Sequence, residues 1–200
     1  MKTVLVDESE LDLVANKLAT EECVAFPTET VFGLGVKYGS KKALDKLYKV
    51  KNRDLSKAIT LMLASKKDIS KYAYVNNQAL KIIDAFMPGE ITLILKKKDV
   101  EDYVTSGLPT IGIRIPNYEF LLKLINKTGP LMVTSANFSG ETSLDDYHDV
   151  YKTFNTLIPM IVKGKVVSHQ PSTVVDVTKE KIEILREGSI SKEKIMEVIG

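Results

Sequence analysis

The chain predicts a single α/β domain built on a mixed sheet. Helix-like and strand-like apolar periodicities alternate along all 200 residues. The strand segments are short and their connections uneven, so a mixed sheet is expected over a regular doubly wound one. No internal repeat, low-complexity tract or long linker divides residues 1–200, a length that suits one domain.

Each element has a local signal. Thr3–Val6 reads as a strand, and Glu10–Ala19 as a helix with Leu11, Val14, Ala15 and Leu18 on one face and Ser9 as N-cap. Cys23–Phe26 is a strand stopped by Pro27. Ser40–Val50 is helical through Ala43, Leu44, Leu47 and Tyr48, and Ile59–Leu63 is a strand. Asn76–Phe86 is a helix broken at Met87-Pro88-Gly89. Ile91–Leu95 and Ile111–Ile115 are strands, the second closed by Pro116, and Tyr118–Asn126 is a helix. Leu131–Val133, Met160–Val162, Thr173–Val177 and Ile182–Leu185 are strands. Leu144–Phe154 is a helix, and Ser191 caps a last helix ending at Ile199.

Composition narrows the function classes. Hydrophobic residues at 44% and charged ones at 27% suit a water-soluble globular chain. No apolar run reaches membrane-spanning length, and MKTVLVDESE does not have the form of a signal peptide. A single cysteine excludes an internal disulfide framework and argues for a reducing, cytoplasmic setting. The net charge of +2 does not by itself demand a nucleic-acid partner.

Several chemistries lack their residues. His148 and His169, the only histidines, have no partners at metal-ligand spacing, and no metal site is expected. Cys23 sits in an apolar strand and reads as an inert core thiol. Gly33, Gly35 and Gly39 match neither a P-loop nor a dinucleotide fingerprint, and no G-x-S-x-G elbow occurs. Lys96–Lys98 reads as a solvated strand end.

The arginines are sparse. Only Arg53, Arg114 and Arg186 occur among 28 basic residues. Codon bias accounts for many lysines, but not for where the arginines stand. A planar fork grips phosphate or carboxylate as lysine cannot, so these three positions are candidates. They lie at turns or strand ends that also carry Thr28-Glu29-Thr30, Lys51, Lys57, Thr110, Thr134-Ser135, Asn137 and Ser172-Thr173. Strand ends of α/β sheets are where ligands bind. The set suits an anionic ligand, such as a nucleotide together with a small carboxylate. Taken singly, each has a plainer reading. Ser135 and Asn137 serve as turn formers and a helix cap, Lys51 and Arg53 as helix C-terminal charges, and Arg114 as part of an exposed sheet face.

Seven blocks stand in a familiar order: FPTETVFGLG (26–35), KNR (51–53), MPGEITLIL (87–95), IGIRIP (111–116), TSANFSGE (134–141), PSTVVD (171–176) and ILREG (184–188). Over nearly its whole length the chain resembles the YrdC-like threonylcarbamoyl-AMP synthase family, in its short single-domain form. The resemblance implies one YrdC-like domain, a twisted mixed sheet flanked by helices, with a basic concave ligand cleft. It implies a nucleotidyltransferase that makes threonylcarbamoyl-AMP and pyrophosphate from L-threonine, bicarbonate or CO2, and ATP. Mg²⁺ is expected with the nucleotide. The product would pass to a threonylcarbamoyl-transferase complex that modifies position 37 of certain tRNAs, and tRNA or double-stranded RNA binding is a possible further property.

Carried over residue by residue, the resemblance implies that Thr30, Arg114, Ser135 and Ser172 hold L-threonine. Lys51 and Arg53 are the implied catalytic pair. Arg53, Lys57, Thr110, Asn137, Ser143 and Arg186 are implied to surround ATP. Glu29 is the nearest, weak candidate for the metal. The chain departs from the family in having Lys57-Ala58-Ile59 for K-P-L, Pro88-Gly89-Glu90 for P-G-P, and Met62 where some members have histidine. Two rivals remain: an RNA-binding module without catalysis, and a carbamoyl-transfer domain like that of hydrogenase-maturation proteins. The latter are longer and carry zinc-finger cysteines, which this chain lacks.

Overall fold

Ten short strands pair into one sheet in the computed structural model, which describes residues 2–200. The strands are β1 (Val4–Val6), β2 (Val24–Phe26), β3 (Gly33–Lys37), β4 (Thr60–Met62), β5 (Ile91–Lys96), β6 (Thr110–Arg114), β7 (Leu131–Ser135), β8 (Met160–Val162), β9 (Thr173–Asp176) and β10 (Glu183–Arg186). Their order across the sheet is β1-β8-β2-β3-β7-β4-β6-β5-β9-β10. Pairing is mixed: β4 with β6 and β5 with β9 are parallel, while β3 with β7 and β5 with β6 are antiparallel. The expected mixed sheet is therefore present.

Eight α-helices accompany the sheet: α1 (Leu11–Ala19), α2 (Lys41–Lys51), α3 (Ile69–Tyr72), α4 (Asn77–Phe86), α5 (Asp102–Thr105), α6 (Glu119–Thr128), α7 (Tyr147–Phe154) and α8 (Lys192–Ile199). The single-turn helices α3 and α5 are too short to show periodicity in sequence. Ser191 caps α8 as expected, by accepting from the Lys194 N–H. Ser9 does not cap α1. The chain enters through a 3-10 turn at Glu8–Glu10, where the Asp7 N–H donates to the Glu10 carboxylate at 2.9 Å. The helix expected from Leu144 begins at Tyr147, with Asp146 accepting from the His148 N–H.

One strand, β3, escapes the sequence reading because its glycines carry no strand signal. Its glycines are there for packing. A Cβ on Gly33 would lie 2.9 Å from Val133 Cγ1, and one on Gly35 would collide with the Phe26 ring. Only glycine lets those two side chains lie flat across β3.

Period-two alternation assigns each strand residue to one of two faces. One face packs Leu34, Leu61, Leu93, Ile113, Met132 and Val175 against Leu47 of α2, Ile82 of α4, Val150 of α7 and Ile195 of α8. The other packs Val24, Phe26, Leu131, Val133, Met160 and Val162 against Val14 and Leu18 of α1 and Leu121 and Leu124 of α6. Each such fully buried side chain contributes about 1.5–3 kcal/mol. The second layer stops at β4, since no residue of β5, β6, β9 or β10 joins its core.

Candidate functional site

Beyond that limit, the same sheet face forms a cleft of about 280 Å³. Cross-strand register builds its floor. Met62 faces both Leu131 and Arg114, Thr60 faces Val133, and Gly33 faces Ser135. Ile94 faces Gly112, while Val174 faces Thr92 on one side and Arg186 on the other. These rungs place Thr60, Met62, Thr92, Ile94, Arg114 and Val174 along one surface, with Arg186 at its far end. Gly112 keeps the middle low: a Cβ there would reach 3.3 Å from Ile94 Cδ1.

All three arginines line this one cleft. Arg114 is 5% exposed. Its Nη2 forms an ion pair with Glu29 Oε1 at 2.9 Å and donates to Thr30 Oγ1 at 2.9 Å. Arg53 follows Asn52, whose left-handed backbone (φ 50°) ends α2 and turns the chain. Its Nε and Nη2 donate to the carbonyls of Lys57 and Ala58, each at 2.9 Å. Arg186 Nε and Nη2 donate to the Ser172 carbonyl at 3.0 and 2.8 Å, and Nη2 reaches Ser172 Oγ at 3.2 Å. Among the described residues, Arg53 and Arg186 bond only neutral oxygens. Burial draws both guanidiniums below the usual arginine value, and the Arg114 charge lowers Arg186 further. Guanidiniums remain charged regardless, so the cleft holds two cations without a carboxylate partner.

Small hydroxyls fill the space between them. Thr30 is fully buried, and its Oγ1 lies 2.8 Å from Thr28 Oγ1, which also donates to the Val31 carbonyl. Ser172 Oγ lies 2.9 Å from Thr92 Oγ1. Ser135 Oγ donates to Asn137 Oδ1 at 2.6 Å and accepts from Lys51 Nζ at 3.4 Å, which leaves it one acceptor site.

Lys51 stands behind this wall. It is 2% exposed, and its Nζ donates to the Ser135 carbonyl at 2.5 Å, to the Asn137 carbonyl and Oδ1, both at 3.0 Å, and to Ser135 Oγ at 3.4 Å. No carboxylate contacts it among the described residues. Burial, with a smaller push from Arg53, lowers its pKa from 10.5 to about 8. Asn137 completes the brace through its Nδ2, which donates to the Phe138 and Glu141 carbonyls at 2.8 Å. Its amide therefore has no capacity left for a ligand.

Of the residues expected at the site, Thr30, Arg53, Arg114, Ser135, Ser172 and Arg186 line the cleft. Lys51 and Asn137 brace it from behind. Lys57 is exposed and serves Arg53 through its carbonyl. Thr110 stands on the cleft face of β6, one rung beyond Gly112, and pairs with Lys96. Ser143 lies in the following loop, whose Leu144 carbonyl accepts from the Phe32 N–H. Thr60, Thr92 and Val174 were missed as cleft residues. Their period-two phase is visible in sequence, but the register that places them beside Arg114 is not. Glu29 is turned to Arg114 and the Asn117 N–H through Oε1, and its Oε2 is buried, so it does not face the cleft as a metal ligand would. No group of three or more His, Cys, Asp or Glu side chains is placed to hold an ion among the described residues.

The other candidates stay outside. Cys23 is buried and its thiol is pushed up to about 12, so it is inert. His148 and His169 are exposed beside Asp146 and Asp145, at 2.9 and 2.7 Å. No helix among the described residues is long and apolar enough to cross a membrane.

A family model described as Telomere recombination (Sua5_yciO_yrdC) matches residues 16–188. The chain belongs to the Sua5/YciO/YrdC family. A putative threonylcarbamoyl-AMP synthase of Methanocaldococcus jannaschii is 35% identical over 92% of this chain and 88% of its own length. A threonylcarbamoyl-AMP synthase of Pyrococcus abyssi is 33% identical over 98% of this family member, which spans 58% of that protein. The crystal structure of P. abyssi Sua5 complexed with L-threonine superposes with a TM-score of 0.94 at 32% identity, covering 99% of this chain and 61% of that one. The resemblance read from the seven sequence blocks is thus shown at the level of family and fold.

Proposed function

We propose that this chain is an L-threonylcarbamoyladenylate synthase, a nucleotidyltransferase acting on L-threonine, bicarbonate or CO2, and ATP. One observation carries the reading most directly. The three arginines of a lysine-rich chain converge on one cleft, and two of them have no carboxylate partner. A polyphosphate satisfies those two, and a small carboxylate suits the third.

The reaction needs no protein nucleophile. The threonine amine adds to CO2, forming a carbamate as the amine loses a proton. A carbamate oxygen then attacks the α-phosphorus of ATP, and the bond to the bridging oxygen breaks to release pyrophosphate. Steps of this type depend on positioning and charge stabilisation. In this reading Arg114 takes the threonine carboxylate, with Thr30, Ser135 and Ser172 around the rest of the amino acid. Arg53 and Arg186 face the phosphates. Lys57, Thr110 and Ser143 are assigned to the nucleotide's outer parts, and Lys51 and Asn137 hold the Ser135 wall. Mg²⁺ would enter with the triphosphate as part of the substrate. The product would serve modification of tRNA position 37, through a separate transferase.

Pyrophosphate release tests the proposal. The chain is incubated with ATP, Mg²⁺, bicarbonate and each amino acid in turn. Release should require threonine and bicarbonate together. Equal release without an amino acid overturns the reading. RNA binding that falls steeply with salt, with no threonine-dependent turnover, would favour the non-catalytic RNA module instead.

A further inference from the structure

We propose that Glu29 is the positioning residue for Arg114, holding the guanidinium so that its free Nη1 meets the ligand's carboxylate. This rests on the function proposed above. Glu29 and Arg114 are both 5% exposed and in contact at 2.9 Å, so neither side chain can turn away into water. The same Glu29 oxygen, Oε1, accepts from the Asn117 N–H at 2.9 Å. That bond fixes the carboxylate to the backbone just past β6, the strand that carries Arg114. Arg114 Nη2 is then shared between Glu29 Oε1 and Thr30 Oγ1. Nη1 makes no hydrogen bond within the described chain and is left for a ligand.

Two further atoms sharpen the assignment. Glu29 Oε2 and Arg114 Nε are both buried without a partner. These are the atoms that would complete a two-bond fork between the side chains. The pair holds by one corner instead. A buried ion pair made for stability alone would be expected to satisfy both corners. The single corner leaves Nη1 of Arg114 as the donor directed elsewhere.

Glu29 also acts through its backbone. Its carbonyl accepts from the Val167 and Ser168 N–H groups, at 3.1 and 3.0 Å. Those residues lie in the segment between β8 and β9 that delivers Ser172. One residue thus ties together Arg114, Thr30 and the approach to Ser172, which are three of the proposed threonine contacts. The adenylate-side arginines, Arg53 and Arg186, have no bond to it. Losing the side chain leaves those backbone bonds in place and should act through Arg114 on threonine, sparing ATP.

Three variants test this, with KM for each substrate, kcat and thermal unfolding measured together. Glu29→Ala and Glu29→Asp remove or withdraw Oε1, and should raise the threonine KM about tenfold or more while the ATP KM stays within about twofold. Glu29→Gln keeps an oxygen at Oε1 and removes the counter-charge. It should lose thermal stability as Ala does, yet hold the threonine KM within about threefold of wild type. Variants in which both KM values simply follow the loss of stability overturn the proposal. If Ala and Asp do not fold, Gln decides alone, and a threonine KM raised about tenfold with Oε1 still present overturns it. Should the wild-type chain show no turnover, the reaction fails but the positioning role is still read by L-threonine calorimetry. Equal affinity in wild type and Glu29→Asp then counts against it.

Discussion

On one face of the sheet, β2, β3 and β7 lie beneath α1 and α6, while β6, β5 and β9 lie open. Under the helices the rungs carry Val24, Phe26, Leu131 and Val133; in the open half they carry Thr60, Thr92, Arg114 and Val174, with Arg186 at the end. Backbone pairing is continuous across the two halves, and Met62 belongs to both. The strands themselves are alike in length and hydrogen bonding. What differs is where the covering layer ends. A side chain facing α6 must be apolar, because burying an unpaired polar group costs free energy. One rung further on, the same orientation faces a ligand, so hydroxyls and guanidiniums are retained.

Four changes would break or sharpen that comparison. The largest effect is expected in the covered half. Phe26→Ala should cost about 3–5 kcal/mol in urea unfolding, because the ring fills space between the sheet and the helices that nothing else can occupy. A loss below about 1 kcal/mol would mean this half is not the stabilising one. In the open half, Arg186→Ala should lower kcat/KM about a hundredfold, while stability changes by less than about 1 kcal/mol. If stability falls and turnover does not, the two halves have been assigned the wrong way round.

Arg114→Lys should raise the threonine KM about tenfold and leave that for ATP nearly unchanged, since a lysine presents a point charge in place of a planar fork. Equal changes for both substrates would remove Arg114 from the carboxylate role. The smallest effect concerns Lys51, behind the wall. Its folded pKa, about 8, lies below the ordinary 10.5. Between those values the unfolded chain holds a proton that the folded chain has shed, so this group adds stability as pH rises through the window. Below about pH 8 both states are protonated and the full burial cost is present. Wild type should therefore gain on Lys51→Met in unfolding midpoint from pH 8 towards pH 10. A difference that stays flat would show that the four nearby acceptors keep Lys51 charged.

Much of this arrangement was legible beforehand. Nine of the ten strands and the six longer helices follow from apolar periodicity, because the core demands it residue by residue. Rarity made the three arginines candidates, and each of them lines the cleft. Lys51 and Asn137 were named with the site, but their place behind it was not readable. A lysine with four oxygen neighbours and a lysine facing a phosphate look the same in one dimension. Glu29 was read only as a weak metal candidate, and its 2.9 Å contact with Arg114 was not readable either. The strand β3 was hidden because Gly33 and Gly35 answer to Phe26 and Val133, residues distant or on another strand.

By itself, then, the amino-acid order determined the α/β class, the alternation that sorts each strand into two faces, and the residue types able to bind an anion. Those are local properties, set by side-chain chemistry and a period of two or of 3.6. Only the tertiary structure decided which of those residues share the cleft, which stand behind it, and which cation keeps a free edge. That depends on cross-strand register and on how far α1 and α6 extend over the sheet. Both arise from contacts between residues tens of positions apart, which no local pattern encodes.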